Sequence, residues 1–153
     1  MNFTRCASAI ALVCLSVASH AADGLVAVKS PHSVGETASR LVAAVQDRGL
    51  KLFARIDHAA GAATIGRTLR PTELFIFGSP QGGTPLLECN QTTGIDLPLK
   101  ALVWQDEAGQ VWLGYNDPAW IAQRHGASSC PAIADLAKAM SGLAAAATSG
   151  KTP

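Results

Sequence analysis

Apolar and polar residues alternate along this chain with two periods, and the switches between them mark out a series of short elements. Leu25-Val26-Ala27-Val28-Lys29 predicts a strand, stopped by Ser30-Pro31. Ser33-Val34-Gly35-Glu36 has the form of a capping box, in which the Ser and Glu side chains satisfy each other's backbone amides. Behind it Val34, Ala38, Leu41, Val42 and Val45 recur at helical spacing, and Gly49 supplies the left-handed residue that ends the helix. Leu50, Leu52, Ala54 and Ile56 then alternate with Lys51, Phe53 and Arg55, the period of a half-buried strand. Asp57 caps a short helix over Ala59–Ile65, broken by Gly66, and Arg67 to Pro71 form a basic connection.

The continuous run Leu74-Phe75-Ile76-Phe77 predicts a central, well-buried strand, ended by Gly78-Ser79-Pro80-Gln81-Gly82-Gly83. Thr84-Pro85 then starts one or two helical turns, Thr at N-cap and Pro at N1, carrying Leu86 to Cys89. Leu99 to Trp104 and Val111 to Tyr115 are strands joined by Asp106-Glu107-Ala108-Gly109, a hairpin with Gly109 free to take a positive φ. Asp117-Pro118 opens a helix through Trp120 and Ile121 that Gly126 ends. A last helix from about Pro131 places Ile133, Leu136, Ala137, Met140 and Leu143 on one face, with residues after Ala147 frayed. There is no internal repeat and no long linker. The pattern predicts an α+β fold, a single mostly antiparallel sheet of about five strands with helices packed on one face.

Composition changes this picture at one end. The chain is 48% hydrophobic and 15% charged, figures that suggest a membrane protein. Part of the excess sits at the start. Arg5 is followed by Cys6 to Ser19 without a charge, and Ser19-His20-Ala21 places small residues at −3 and −1. These features predict a signal peptide over residues 1–21, removed after Ala21 or Ala22. The apolar stretch is short for a membrane anchor. Cys14 follows Val13, too large a residue for a lipoprotein cleavage point. A single domain over residues 22–147, a frayed tail over 148–153 and a periplasmic or secreted location are expected. No membrane insertion is expected after removal of the signal.

The remainder carries 11 basic and 11 acidic side chains, a balance that argues against the basic footprint of a nucleic-acid binder or a polybasic membrane-surface patch. Much of its apolar content is alanine, which signals helix more than lipid. Cys89 and Cys130 are left, and in an oxidising compartment two cysteines favour a disulfide. Closing a 41-residue loop would contribute about 4 kcal/mol in the chain-entropy description. A redox pair or thiolate metal site is the alternative, without a C-x-x-C or a neighbouring histidine to support it.

Several motifs taken together resemble the DUF302 family. They are Asp23 to Val28, Ile56-Asp57-His58, Phe77-Gly78-Ser79-Pro80, Gly83-Thr84-Pro85-Leu86, Ile95-Asp96-Leu97-Pro98-Leu99-Lys100 and Tyr115-Asn116-Asp117-Pro118, in the family's order over roughly residues 23–126. The resemblance implies a compact α+β domain of the TT1751-like type. It implies no activity.

Candidate chemistry is sparse. His58 follows Asp57 at a strand end, where the pair serves either as an acid/base or ligand couple or simply as a helix start. Adjacent strand residues point to opposite faces, which counts against a direct couple. The loop holding Gly78, Ser79, Pro80, Gly83 and Thr84 offers backbone amides to an anion, or is ordinary turn chemistry. It has neither the Lys-Ser/Thr ending of a P-loop nor dinucleotide-binding spacing, so no cofactor is expected. Asp96 and Lys100 flank a proline-stiffened start of a strand that either lines a ligand cleft or only fixes the strand's approach. Trp104, Trp112, Tyr115 and Trp120 line a pocket or pack a core. His32, His58 and His125 have no metal-binding spacing.

The sequence therefore favours a ligand-binding or accessory envelope protein without catalysis, its partner an unknown small ligand or envelope protein. An enzyme using His58 with Asp96 and Lys100 is the second reading. A metal-handling or stress protein using His58, His125 and thiols is the third.

Overall fold

The computed structural model describes residues 23–150, so the expected signal peptide lies outside the described residues, as does the tail from Lys151. Five strands, β1 (Leu25–Ser30), β2 (Lys51–Asp57), β3 (Thr72–Gly78), β4 (Leu99–Gln105) and β5 (Val111–Asn116), form one sheet in the order β1-β5-β4-β3-β2. Every neighbouring pair is antiparallel. The helices are α1 (Val34–Asp47), α2 (His58–Ala63), α3 (Pro80–Cys89), α4 (Pro118–Arg124) and α5 (Ala132–Thr148), with a 3₁₀ turn at Gln91–Ile95.

The core lies between one face of the sheet and the helix pair α1 and α5. Phe75, Phe77, Val103, Leu113 and Tyr115 from the strands meet Leu41 and Val45 of α1 and Met140 and Leu143 of α5. A second cluster joins Leu86 of α3, Ile121 and Ala122 of α4, Cys130 and Leu136. Under the helices Ser30 Oγ lies 2.7 Å from Thr37 Oγ1, which itself donates to the Ser33 carbonyl. Ser30 is therefore the donor of that buried pair.

The opposite sheet face carries half-buried Leu74, Leu102, Trp104 and Trp112. Trp104 and Trp112 stack with ring centroids 6.3 Å apart. Trp104 reaches across β5 because residue 114 is glycine. A Cβ there would lie 2.8 Å from the Trp104 ring.

Five expectations change. The apolar run 74–77 is interior but second from the edge, and β4 takes the centre. Only Phe75 and Phe77 of that run are fully buried. In β2 the ladder slips between Leu52 and Ala54, a bulge at Phe53. One extra residue reverses the alternation. Leu52 faces Phe77 on the core side, while Ala54 and Ile56 face Ile76 and Leu74 on the other.

Helix α3 begins at Pro80 instead of Pro85. Ser79 is its N-cap, accepting from the Gly82 amide at 3.2 Å, and Pro80 occupies N1. Gly82 and Gly83, expected in a turn, lie within its first turns, and Pro85 withholds the amide that would bond Gln81. Finally Thr148, placed in the frayed tail by sequence, is helical, and the Ser149 carbonyl accepts from His32 Nε2 at 2.7 Å. Half of the capping box forms. Ser33 accepts from the Glu36 amide, but the Glu36 carboxylate turns to His32 and Arg40.

Candidate functional site

Where β3 ends and β4 begins, Phe77 is paired with Leu99. Beside this pair lies a cavity of about 410 Å³. Its walls are the start of α3, the segment from Gly94 to Leu99, the Leu50–Phe53 end of β2 and the Leu136–Leu143 stretch of α5. Leucine, phenylalanine, proline, alanine and glycine supply nearly all of the lining, and no charged side chain contributes to it. Two polar side chains remain, Ser79 and Thr84, and Ser79 Oγ is already occupied as the α3 cap.

The space exists because Gly78, Gly82, Gly83 and Gly94 leave it open. A Cβ on Gly83 would sit 3.7 Å from Leu97 Cδ1, and one on Gly82 would sit 3.9 Å from Leu136 Cδ2. Both are ordinary contacts, so side chains there would fit and would take up the cavity. Five residues singled out from sequence share this wall: Gly78, Ser79, Pro80, Gly83 and Thr84. Their role differs from an anion cradle, since what they present to the cavity is mostly carbon.

Asp96 and Lys100 serve a different structure. Asp96 Oδ2 lies 2.7 Å from His125 Nε2, and both carboxylate oxygens accept from Arg124 Nη1 at 3.1 and 3.2 Å. His125 Nδ1 lies 2.8 Å from Thr92 Oγ1, which donates to Asn90 Oδ1 at 2.8 Å. Thr92 has thus spent its proton and accepts from the imidazole. Both ring nitrogens of His125 therefore face acceptors, and Thr92 has no proton left to give the ring. Asn90 Nδ2 closes the circle by donating to the His125 carbonyl at 2.7 Å. Lys100 Nζ donates to the carbonyls of Asp96 and Pro98, 3.0 Å each. These groups pin the backbone from Asn90 to Pro98, which is one wall of the cavity. The Asp96–His125 contact spans 29 residues, and no sequence spacing signalled it.

Asp57 and His58 are elsewhere. Asp57 pairs in register with Glu73, at the other end of β3 from Phe77. Four residues of strand, roughly 13 Å, separate the two ends. Asp57 Oδ1 accepts from the Ala60 amide at 2.9 Å as the cap of α2, and His58 is exposed. His58, Asp96 and Lys100 do not converge, so the enzyme reading loses its constellation. Cys89 and Cys130 form a disulfide, which removes the thiolates from the metal-handling reading. Among the described residues no three His, Cys, Asp or Glu side chains gather as a metal site.

The aromatic cluster also divides. Tyr115 is buried in the core, where burial raises its pKa. Trp104 and Trp112 stack on the open sheet face, and Trp120 lies under Arg124. The aromatic rings that line the cavity are Phe53 and Phe77. A second cleft, about 510 Å³, lies between Thr68–Thr72 and the hairpin and is lined by Arg70, Asp106 and Glu107. Asp106 is held below the usual carboxylate range, first by the Trp112 indole N–H at 2.8 Å and then by the Gln110 amide.

The sequence pattern of the family described as "Domain of unknown function DUF302" matches residues 26–146. The chain is 54% identical over 113 residues to the protein named Fluoride-specific ion channel FluC 1 of Brucella suis biovar 1 (strain 1330), the match covering 72% of this chain and 44% of that one. The same identity and length relate it to the protein of that name in Brucella abortus biovar 1 (strain 9-941), where 42% is covered. The chain thus spans less than half the length of the curated relatives it matches. Among its described residues no helix is long and apolar enough to cross a membrane. The crystal structure of an uncharacterized conserved DUF302 protein from Bacillus stearothermophilus shares the fold. It superposes with a TM-score of 0.73 over 80% of this chain and 97% of that one, at 20% identity.

Proposed function

The chain belongs to the DUF302 family, and on that footing we propose that it is an exported, non-catalytic module that takes a small, uncharged, largely apolar molecule between Gly83, Leu97 and Leu136. The observation that carries this reading is the lining of the cavity. It falls within the size range of small-molecule sites and has no charged side chain. The polar groups beside it are committed to backbone and to one another.

Nile red, a neutral dye whose emission rises in apolar surroundings, tests the reading. Saturable binding is expected, lost in Gly83→Leu and retained in His58→Ala. Binding that never saturates, or that Gly83→Leu leaves untouched, would end it. N-terminal sequencing of the released chain tests export, with Ala22 or Asp23 expected as the first residue.

A second reading comes from the two Brucella proteins, whose name describes a fluoride channel and most of whose length lies outside the match. We propose that this chain serves as a companion to a membrane ion channel. Fluoride flux through proteoliposomes of such a channel should change when the chain is added. Identical flux with and without it removes this reading.

A further inference from the structure

We propose that the mouth of the cavity is a lipid-facing surface, with Phe53 and Ile95 entering the head-group region of an anionic bilayer from which the cavity draws its occupant. This rests on the reading of the cavity as a binding site and adds where the ligand comes from.

Phe53 is the bulged residue of the edge strand β2, 48% exposed, yet it also lines the cavity. Its Cε2 lies 4.0 Å from where a Gly78 Cβ would stand, and Pro98 Cβ lies 3.7 Å from the same point. Ile95, 74% exposed, sits between Gly94 and Leu97, both of which line the cavity. A single exposed apolar side chain is ordinary on a protein surface. Here Phe53 is both exposed and part of the cavity lining, and Ile95 is the chain neighbour of Gly94, which also lines it, so carbon runs from the outside of the protein to its interior.

Two lysines stand beside these segments. Lys51 Nζ lies 5.3 Å from the centre of the Phe53 ring, and Lys100 is anchored on the Asp96 and Pro98 carbonyls. The acid in that segment, Asp96, is turned to Arg124 and His125. Lysines flanking exposed apolar side chains match the layered chemistry of a lipid interface, phosphate outside and hydrocarbon beneath. A protein partner fits less well. Two side chains fall short of the roughly 800 Å² per partner of a stable interface. An uncharged apolar ligand is, moreover, scarce in water and concentrated in bilayers.

The test is co-sedimentation of the released chain, beginning at Ala22 or Asp23, with vesicles of phosphatidylcholine, alone or mixed with phosphatidylglycerol. Ile95→Ser should lower the vesicle-bound fraction constant by roughly tenfold, the order set by losing one inserted branched side chain. Lys51→Gln should remove the preference for phosphatidylglycerol. Ile65→Ser, at a site 76% exposed on the far side of α2, should change nothing. Equal binding by Ile95→Ser and the parent chain overturns the proposal. So does an equal loss in Ile65→Ser, or a dimer in solution that Ile95→Ser dissolves, which would make the mouth a self-interface. Nile red binding in vesicle-free buffer keeps the two readings apart. If it saturates while vesicles are ignored, the cavity stands and the lipid-facing mouth falls.

Discussion

The cavity and the polar knot around Asp96 meet along the same segment, Asn90 to Pro98, and are built on opposite terms. On the knot side every nitrogen and oxygen of Asp96, His125, Thr92 and Asn90 described above has a partner, and the Asp96 and His125 side chains are only 12% and 8% exposed. On the cavity side there is little to satisfy, because carbon and glycine face empty space. The residue types that usually announce chemistry are spent on holding backbone. Those that announce none shape the space. Buried polar groups are costly to leave unpaired, so the satisfied network holds this segment rigid, and the rigid wall in turn keeps the cavity open.

The contrast can be broken from the covalent side first. Cys89 ends α3 and Cys130 precedes α5, so the disulfide ties two walls of the cavity together. Cys89→Ser with Cys130→Ser is expected to cost about 4 kcal/mol in urea denaturation and to weaken Nile red binding as well. His125→Ala comes next. It strips a hydrogen-bond partner from both Asp96 and Thr92, at an expected cost of about 2–3 kcal/mol. Its dye affinity should fall too, since Gly94 and Leu97 lose their anchor. An unchanged affinity would mean that the knot and the cavity are neighbours without coupling.

Gly82→Ala with Gly83→Ala sharpens the contrast by moving its two sides in opposite directions. Alanine inside a helix is favoured over glycine, so the urea midpoint should rise by the equivalent of about 1–2 kcal/mol. The added methyls enter the cavity, so dye affinity should drop. A rise in both would show that the dye binds elsewhere. The smallest effect belongs to the β4–β5 hairpin, remote from both regions. Asp106 is depressed in the folded chain, so the unfolded chain takes up its proton first as pH falls. Its stabilising contribution is therefore full above the ordinary carboxylate range, near pH 4, and is lost as pH falls through the folded value. Comparison of urea midpoints for the parent and Asp106→Asn across that range should show the gap closing.

Most elements were legible from period and punctuation, because each carries its own local signal. Ser33, Asp57 and Asp117 cap helices where the pattern placed them, and Gly49, Gly66, Gly109 and Gly126 take the positive φ that ends an element or turns a hairpin. The start of α3 is hidden from the pattern because Gly82-Gly83 outweighs Ser79-Pro80 in any count of turn formers, although the cap decides. The Phe53 bulge leaves no mark in the alternation, since its consequence appears only when β2 meets β3. Of the site, the contiguous stretch from Gly78 to Thr84 was legible. Leu97 to Leu99 belong to the proline-stiffened strand start for which a cleft lining was one of two readings, while Leu50, Leu136 and Leu143 read as generic core and join the site only through tertiary packing. The assignment of Asp96 depended on His125, a partner that no local rule connects to it.

The placement of the three tryptophans has a spectroscopic consequence. None lines the cavity, and two of them stack face to face on the sheet surface away from the helices. The near-ultraviolet dichroism of the stacked Trp104–Trp112 pair reports the state of the sheet and should be unchanged when the cavity fills, whereas Trp120 packs in the cluster that holds Leu97 and Leu99. Loading and melting can thus be followed in separate optical channels on one sample.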